Sequence, residues 1–157
     1  MTPSSNDSHG MLPPLTIRRA TRADLAAVHR LEGEAFGAEG YPRFFVRQAW
    51  DLWPGSLLVA EVDGELLGYV LAGSGEDPAE AWILSLAVAP AARRMGLGRA
   101  LSEAALAALG EGRRVWLTVA PASPARRLYE GLGFVETRRE DDYFGPDEAR
   151  VVMVRSP

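Results

Sequence analysis

Residues 83–88, Ile-Leu-Ser-Leu-Ala-Val, form an apolar run of strand length, and residues 98–109 read as a helix. Between them lies Arg93-Arg94-Met95-Gly96-Leu97-Gly98, the junction that most constrains the fold. A buried strand that ends in a short arginine and glycine loop and then opens a helix leaves the first N–H groups of that helix unpaired, at the positive end of its dipole. Such a junction holds anions. Glycines let the backbone come close to a phosphate, and the arginines add charge. The segment therefore predicts a phosphate-bearing ligand. It also predicts that the helix carries the chain over to a second, parallel strand by a right-handed crossover. Residues 114–119, Arg-Val-Trp-Leu-Thr-Val, supply that strand.

The remaining elements follow from periodicity and punctuation. Residues 15–19 alternate and read as a first strand. Thr21 is a good N-cap, with Asp24 three residues on as an imperfect capping box. Leu25, Val28, Leu31, Glu32 and Ala35 then keep helical spacing to about Phe36. Pro42 fits the first turn of a short helix that runs to about Leu52. Residues 57–62 and 65–72 read as two alternating strands that flank Asp63-Gly64, a strong hairpin signal. Residues 73–79 read as a loop before a strand over 81–88. Ser123 as N-cap and Pro124 at the first helical position start a helix over about 124–132, which Gly133 stops. Residues 134–138 and 151–155 pair as a final strand couple across an acidic, aromatic loop. The order is β-α-α-β-β-β-α-β-α-β-β. It describes a single α+β domain with a central mixed, mostly antiparallel sheet, and the parallel pair lies within residues 81–119. Residues 1–14, rich in Ser and Pro without an apolar stretch, read as a mobile tail rather than a signal peptide, and 15–157 as the domain.

Composition narrows the function. The chain of 157 residues is 47% hydrophobic and 24% charged, enough for a globular core. Its net charge of −4 argues against a nucleic-acid partner. It has no cysteine, which removes disulfides, thiolate metal sites and a cysteine nucleophile. His9 and His29 are too few and too far apart for a metal site. No apolar run reaches the ~20 residues of a membrane span, and the protein is expected to be cytoplasmic.

Two motifs carry a family likeness. Arg93, Gly96 and Gly98 match position by position the pyrophosphate signature of the GCN5-related N-acetyltransferases, preceded by Leu86-Ala87-Val88-Ala89-Pro90. Leu128-Tyr129-Glu130-Gly131-Leu132-Gly133-Phe134 resembles the family's Leu-Tyr-x-x-x-Gly-Phe block. Either motif alone is modest, but both together, one strand apart, are specific. The chain is most similar to the ribosomal-protein alanine and protein N-terminal acetyltransferase branch, and the likeness spans about residues 15–155.

The resemblance implies an acetyl-CoA-dependent transfer to a primary amine by direct attack in a ternary complex. Acetyl-CoA would be held by Leu86, Ala87 and Val88, by the loop Arg93, Arg94, Met95, Gly96, Leu97, Gly98 and Arg99, and by Ser123. The parallel strands would splay into a V, and the pantetheine arm would add to the edge of the first of them. The Val88 N–H would stabilise the developing oxyanion, and Tyr129 would act as general acid at the sulfur. Glu32, Tyr41 and Tyr143 are candidates for contact with the acceptor. The general base is open: Thr118 stands where the related branch has a Glu, and Thr cannot act as a base near neutral pH. Glu32, Glu34 or a water chain could take the proton. The acceptor is a protein N-terminus, a lysine or a small amine. The acyl-chain preference and the choice between monomer and homodimer stay open. A non-catalytic acyl-CoA sensor is the alternative. A dinucleotide site is disfavoured, because position 101 lacks the third glycine.

Overall fold

The computed structural model describes residues 14–157, so nearly all of the expected tail lies outside the described residues. The strands are β1 (Leu15–Arg19), β2 (Leu57–Val62), β3 (Glu65–Ser74), β4 (Glu80–Val88), β5 (Arg114–Val119), β6 (Val135–Glu140) and β7 (Arg150–Arg155). The helices are α1 (Leu25–Phe36), α2 (Arg43–Leu52), α3 (Leu97–Leu109) and α4 (Ala125–Gly131). The seven strands form one sheet in the order β1-β2-β3-β4-β5-β7-β6. Only β4 and β5 pair in parallel, joined by the α3 crossover that the sequence predicts.

Apolar side chains leave both faces of the central strands. Leu58, Ala60, Val70, Ala72, Leu101, Leu117 and Phe134 belong to a core under α3 and α4. Leu57, Val59, Leu71, Val28, Leu31 and Val46 belong to a second core under α1 and α2. β2 and β3 are buried on both faces rather than on one, so the alternation expected of them is corrected to near-continuous apolar runs. The β2–β3 turn has positive φ at both Asp63 and Gly64, the geometry that the right-handed strand twist favours in a two-residue hairpin. β6, Val-Glu-Thr-Arg-Arg-Glu, is exposed along its whole length. Its charges suit it to the sheet edge.

Several boundaries differ from the sequence expectation. β3 continues to Ser74, into the expected loop. Trp53 covers it there: a Cβ on Gly73 would lie 2.5 Å from the Trp53 ring. The loop after β4 is a 3-10 segment, Pro90–Met95, and α3 starts at Leu97. β6 starts at Val135, since Phe134 is turned into the core. Pro124 has helical angles (φ −64°, ψ −16°) but precedes the assigned start of α4. Ser123 Oγ accepts the Ala125 N–H at 3.2 Å, which satisfies one of the free donors at that helix start.

Candidate active site

The site begins with an irregularity in β4. Leu71 faces Ser85 across the β3–β4 ladder and Ala72 faces Ile83, which leaves Leu84 as an extra residue. Such a bulge bends its strand and increases the local twist. The bulge also exchanges the faces of the strand. Ile83 packs in the α3 core, whereas Ala87 packs in the α1 core. β4 pairs with β5 only at Glu80↔Arg114, Ala81↔Val115 and Trp82↔Trp116. Beyond Trp82 the two strands part, and β5 continues against β7 as far as Val119↔Val151. This is the V that the resemblance implies.

The open arm of the V has a free backbone edge. The Ala89 N–H donates to the Leu67 carbonyl at 2.8 Å. Peptide groups alternate in direction along a strand, so those of Val88 and Leu86 point away from β3, into the gap. Ala87, expected to share in donor binding, has its side chain buried and its peptide groups toward β3.

The loop that follows is built for close approach. Gly96 lies in the left-handed region (φ 74°, ψ 17°), with nothing within 4 Å of where a Cβ would sit. Glycine is there for backbone conformation. Gly98 is there for packing: its Cβ would lie 3.4 Å from Leu128 and 3.8 Å from Leu86. Leu97 is buried and anchors the first turn of α3 in the core. Arg93, Arg94 and Met95 are exposed, as an anion-facing rim requires. Arg99, also exposed, pairs with Glu103 at 2.9 Å.

The second motif acts as one packed unit. Leu128 sits over Gly98. The Tyr129 ring meets Phe134 edge-on at 5.8 Å. The Tyr129 carbonyl accepts the N–H groups of Leu132 and Phe134, both at 3.0 Å. Gly133 makes the turn at φ 93°. Tyr129 is 6% exposed, and burial pushes its hydroxyl up to about 12.

On the other face of β4, Glu32 of α1 is 2% exposed. Its Oε1 accepts the hydroxyls of Tyr69 and, at 2.5 Å, of Ser85. Its Oε2 accepts the Tyr41 N–H at 2.9 Å. The Tyr41 hydroxyl in turn donates to the carbonyl of the bulged Leu84 at 3.3 Å. Burial, with the Glu32 charge second, raises the Tyr41 and Tyr69 hydroxyls above the ordinary phenol value, so both stay protonated donors. Tyr143 lies in the loop between β6 and β7, where its ring meets Phe144 edge-on at 4.8 Å. Of the three candidates for acceptor contact, Glu32 and Tyr41 are in contact, and among the described residues no hydrogen bond joins Tyr143 to either. Thr118 points to the same face as Trp116, whose ring stacks on Trp82 at a centroid distance of 6.0 Å. β5 offers no carboxylate at Thr118. Among the described residues no cluster of potential metal ligands occurs, and no helix is long and apolar enough to cross a membrane.

Sequence reasoning missed Tyr69, Ser85 and the bulge at Leu84. The one available signal was Ser85, a hydroxyl inside an otherwise apolar strand.

A splayed parallel pair with a free edge, next to a glycine turn that opens a helix, is the architecture of a CoA-dependent acyltransferase. The chain belongs to the acetyltransferase (GNAT) family, whose model matches residues 25–134, and acetyl-CoA is the co-substrate of that family. An uncharacterized N-acetyltransferase of Methanocaldococcus jannaschii is 30% identical over 145 residues, covering 90% of this chain and 91% of the relative. An N-alpha-acetyltransferase of Sulfurisphaera tokodaii is 30% identical over 157 residues, covering 87% and 90%. Among solved structures, Ard1 from Thermoplasma volcanium superposes with a TM-score of 0.82 at 30% identity, covering 90% of this chain and 97% of that one.

Proposed function

We propose that the protein is an acetyl-CoA-dependent N-alpha-acetyltransferase whose acceptor is the free N-terminus of a polypeptide. The observation that carries this reading is the Tyr41 loop held on the buried Glu32 and on the bulged Leu84 of β4, beside the open end of the V. That loop and the β6–β7 loop that carries Tyr143 would flank an extended peptide while its terminal amine approaches β4. The N-alpha-acetyltransferase relative supports the same reading.

The chemistry left to the protein suits an α-amine. A lysine amine has a pKa of ~10.4 and an α-amine ~8. At pH 7 about a tenth of α-amines are already neutral, against fewer than about one lysine in a thousand. With Thr118 in place of a carboxylate on β5, a strong base is not at hand, and an α-amine needs it least.

Acetyl-CoA supplies the activated acetyl thioester when bound. Arg93, Arg94 and the first N–H groups of α3 would hold its pyrophosphate, with Arg99 and Ser123 at the margin. Leu86 and Val88 would hydrogen-bond the pantetheine arm along the free edge. The Val88 N–H would donate to the carbonyl oxygen as charge develops, a contribution of ~3 kcal/mol. Tyr129 would act as general acid at the departing sulfur. Because its hydroxyl lies near 12 and a thiol near ~8.5, complete transfer is uphill by roughly 5 kcal/mol. Its larger contribution would come from a hydrogen bond that strengthens as the thiolate forms.

The test is acetyl transfer to a panel read by mass spectrometry: peptides with a free N-terminus, the same peptides blocked, and small diamines. Modification of the free N-termini alone supports the reading. Modification of the diamines alone contradicts it. Acetyl-CoA binding without transfer to any acceptor would favour the sensor alternative.

A further inference from the structure

We infer that Glu32 is a positioning residue that locks the acceptor loop and the donor-binding edge of β4 into one body. The inference rests on the acetyltransferase reading for its kinetic consequences, but not for its structural ones.

Glu32 is buried at 2% exposure, and no ion pair to it occurs among the described residues. A buried carboxylate without a cation is costly unless donors surround it. Three do, from three different places: Tyr69 on β3, Ser85 on β4, and the Tyr41 backbone in the connection between α1 and α2. Both lone pairs of Oε1 are taken by hydroxyls, and Oε2 is held by the Tyr41 N–H. Every donor on the carboxylate is thus a structural group of another element, the arrangement of a side chain that holds its neighbours in place.

What the cluster holds is informative. Ser85 directly follows the bulged Leu84 and directly precedes Leu86, the first residue of the free edge. Tyr41 grips the same bulge from the other side, through its hydroxyl on the Leu84 carbonyl. Gly40 lets the loop settle onto the carboxylate: a Cβ there would lie 3.1 Å from Glu32 Cγ and 3.2 Å from its carbonyl. One side chain therefore sets both the direction of the Leu86 and Val88 peptide groups and the position of the acceptor-side Tyr41.

Three variants separate the bonds. Glu32→Gln keeps an oxygen for Tyr69 and Ser85 but sets an NH2 against the Tyr41 N–H, so it frees the loop. Ser85→Ala frees the strand. Ser85→Thr retains the hydroxyl. Hydrogen exchange on the protein without ligands is the first readout. The Tyr41 amide should lose protection in Glu32→Gln, and also in Ser85→Ala, which does not touch Tyr41. An unchanged Tyr41 amide in Ser85→Ala overturns the inference. Steady-state kinetics is the second readout. Glu32→Gln should raise the acceptor KM about tenfold with kcat changed less than about threefold. Ser85→Ala should lower kcat about tenfold, and Ser85→Thr should restore it. A loss of kcat of about a thousandfold in Glu32→Gln, with Ser85→Ala silent, would make Glu32 a base and overturn the inference. If the wild-type protein transfers no acetyl group while the exchange coupling is present, the acetyltransferase reading fails and the positioning role stands.

Discussion

The proposed donor and acceptor sides of this site are built by opposite means. The donor side is backbone, from neighbours in sequence: the free edge at Leu86 and Val88, the left-handed Gly96, and the first turn of α3. The acceptor side is side chains from distant elements: Glu32, Tyr41, Tyr69 and Ser85 in contact. A backbone site tolerates substitution except where a Cβ cannot fit or a φ cannot be reached. A side-chain cluster around a buried charge fails when one donor is lost. The two sides should therefore respond differently to mutation.

The largest effect is expected at Tyr129, on the donor side. Tyr129→Phe should lower kcat about 100-fold and leave acetyl-CoA affinity unchanged, read by steady-state kinetics beside calorimetry. With its hydroxyl near 12, Tyr129 stays protonated at lower pH and loses its proton only above that value. The wild-type pH profile should accordingly have no descending limb from Tyr129 below about pH 11. Next, Arg93→Ala combined with Arg94→Ala should weaken acetyl-CoA binding about tenfold at low salt, and the difference should shrink as salt screens these exposed charges. Gly96→Ala should cost ~1–2 kcal/mol of stability through its left-handed backbone, seen in a denaturant melt, with little change in acceptor KM.

The smallest effect lies on the scaffold of the acceptor side. Arg18 donates to both oxygens of Asp24, at 2.6 and 3.1 Å. This holds the Asp24 carboxyl below its ordinary value, partly opposed by burial. A depressed carboxyl stabilises the fold above its unfolded pKa, ~3.9, and the gain is lost as pH falls through the lower folded value. Asp24→Asn should cost less than about 1 kcal/mol at pH 7, and the two proteins should converge in acid.

The same contrast explains what was legible in the sequence. The donor loop, the hairpin at Asp63-Gly64 and the packed unit of Leu128, Tyr129 and Phe134 depend on residues a few positions apart, so spacing encodes them. Glu32, Tyr41 and Tyr143 were recognisable as polar or aromatic residues on the acceptor side. The contact between Glu32 and Tyr41 was not, because it depends on how α1 and the connection to α2 pack against the sheet. Ser85 and Tyr69 looked like strand residues. The bulge at Leu84 was hidden because one extra apolar residue in an apolar run leaves no mark on composition. The 3-10 segment at Pro90–Met95 was hidden for a related reason: its short turn is set by the distance between the end of β4 and Gly96.

The most direct test of the account uses one peptide that carries both a free N-terminus and an internal lysine, incubated with the protein and acetyl-CoA and sequenced by tandem mass spectrometry. All 17 basic residues of the chain, counting lysine and arginine together, are arginine, so no lysine of the enzyme itself competes for the acetyl group. Acetyl on the α-amine with the lysine untouched is the expected result. Acetyl on the lysine alone, or on neither amine while acetyl-CoA binds, would contradict it.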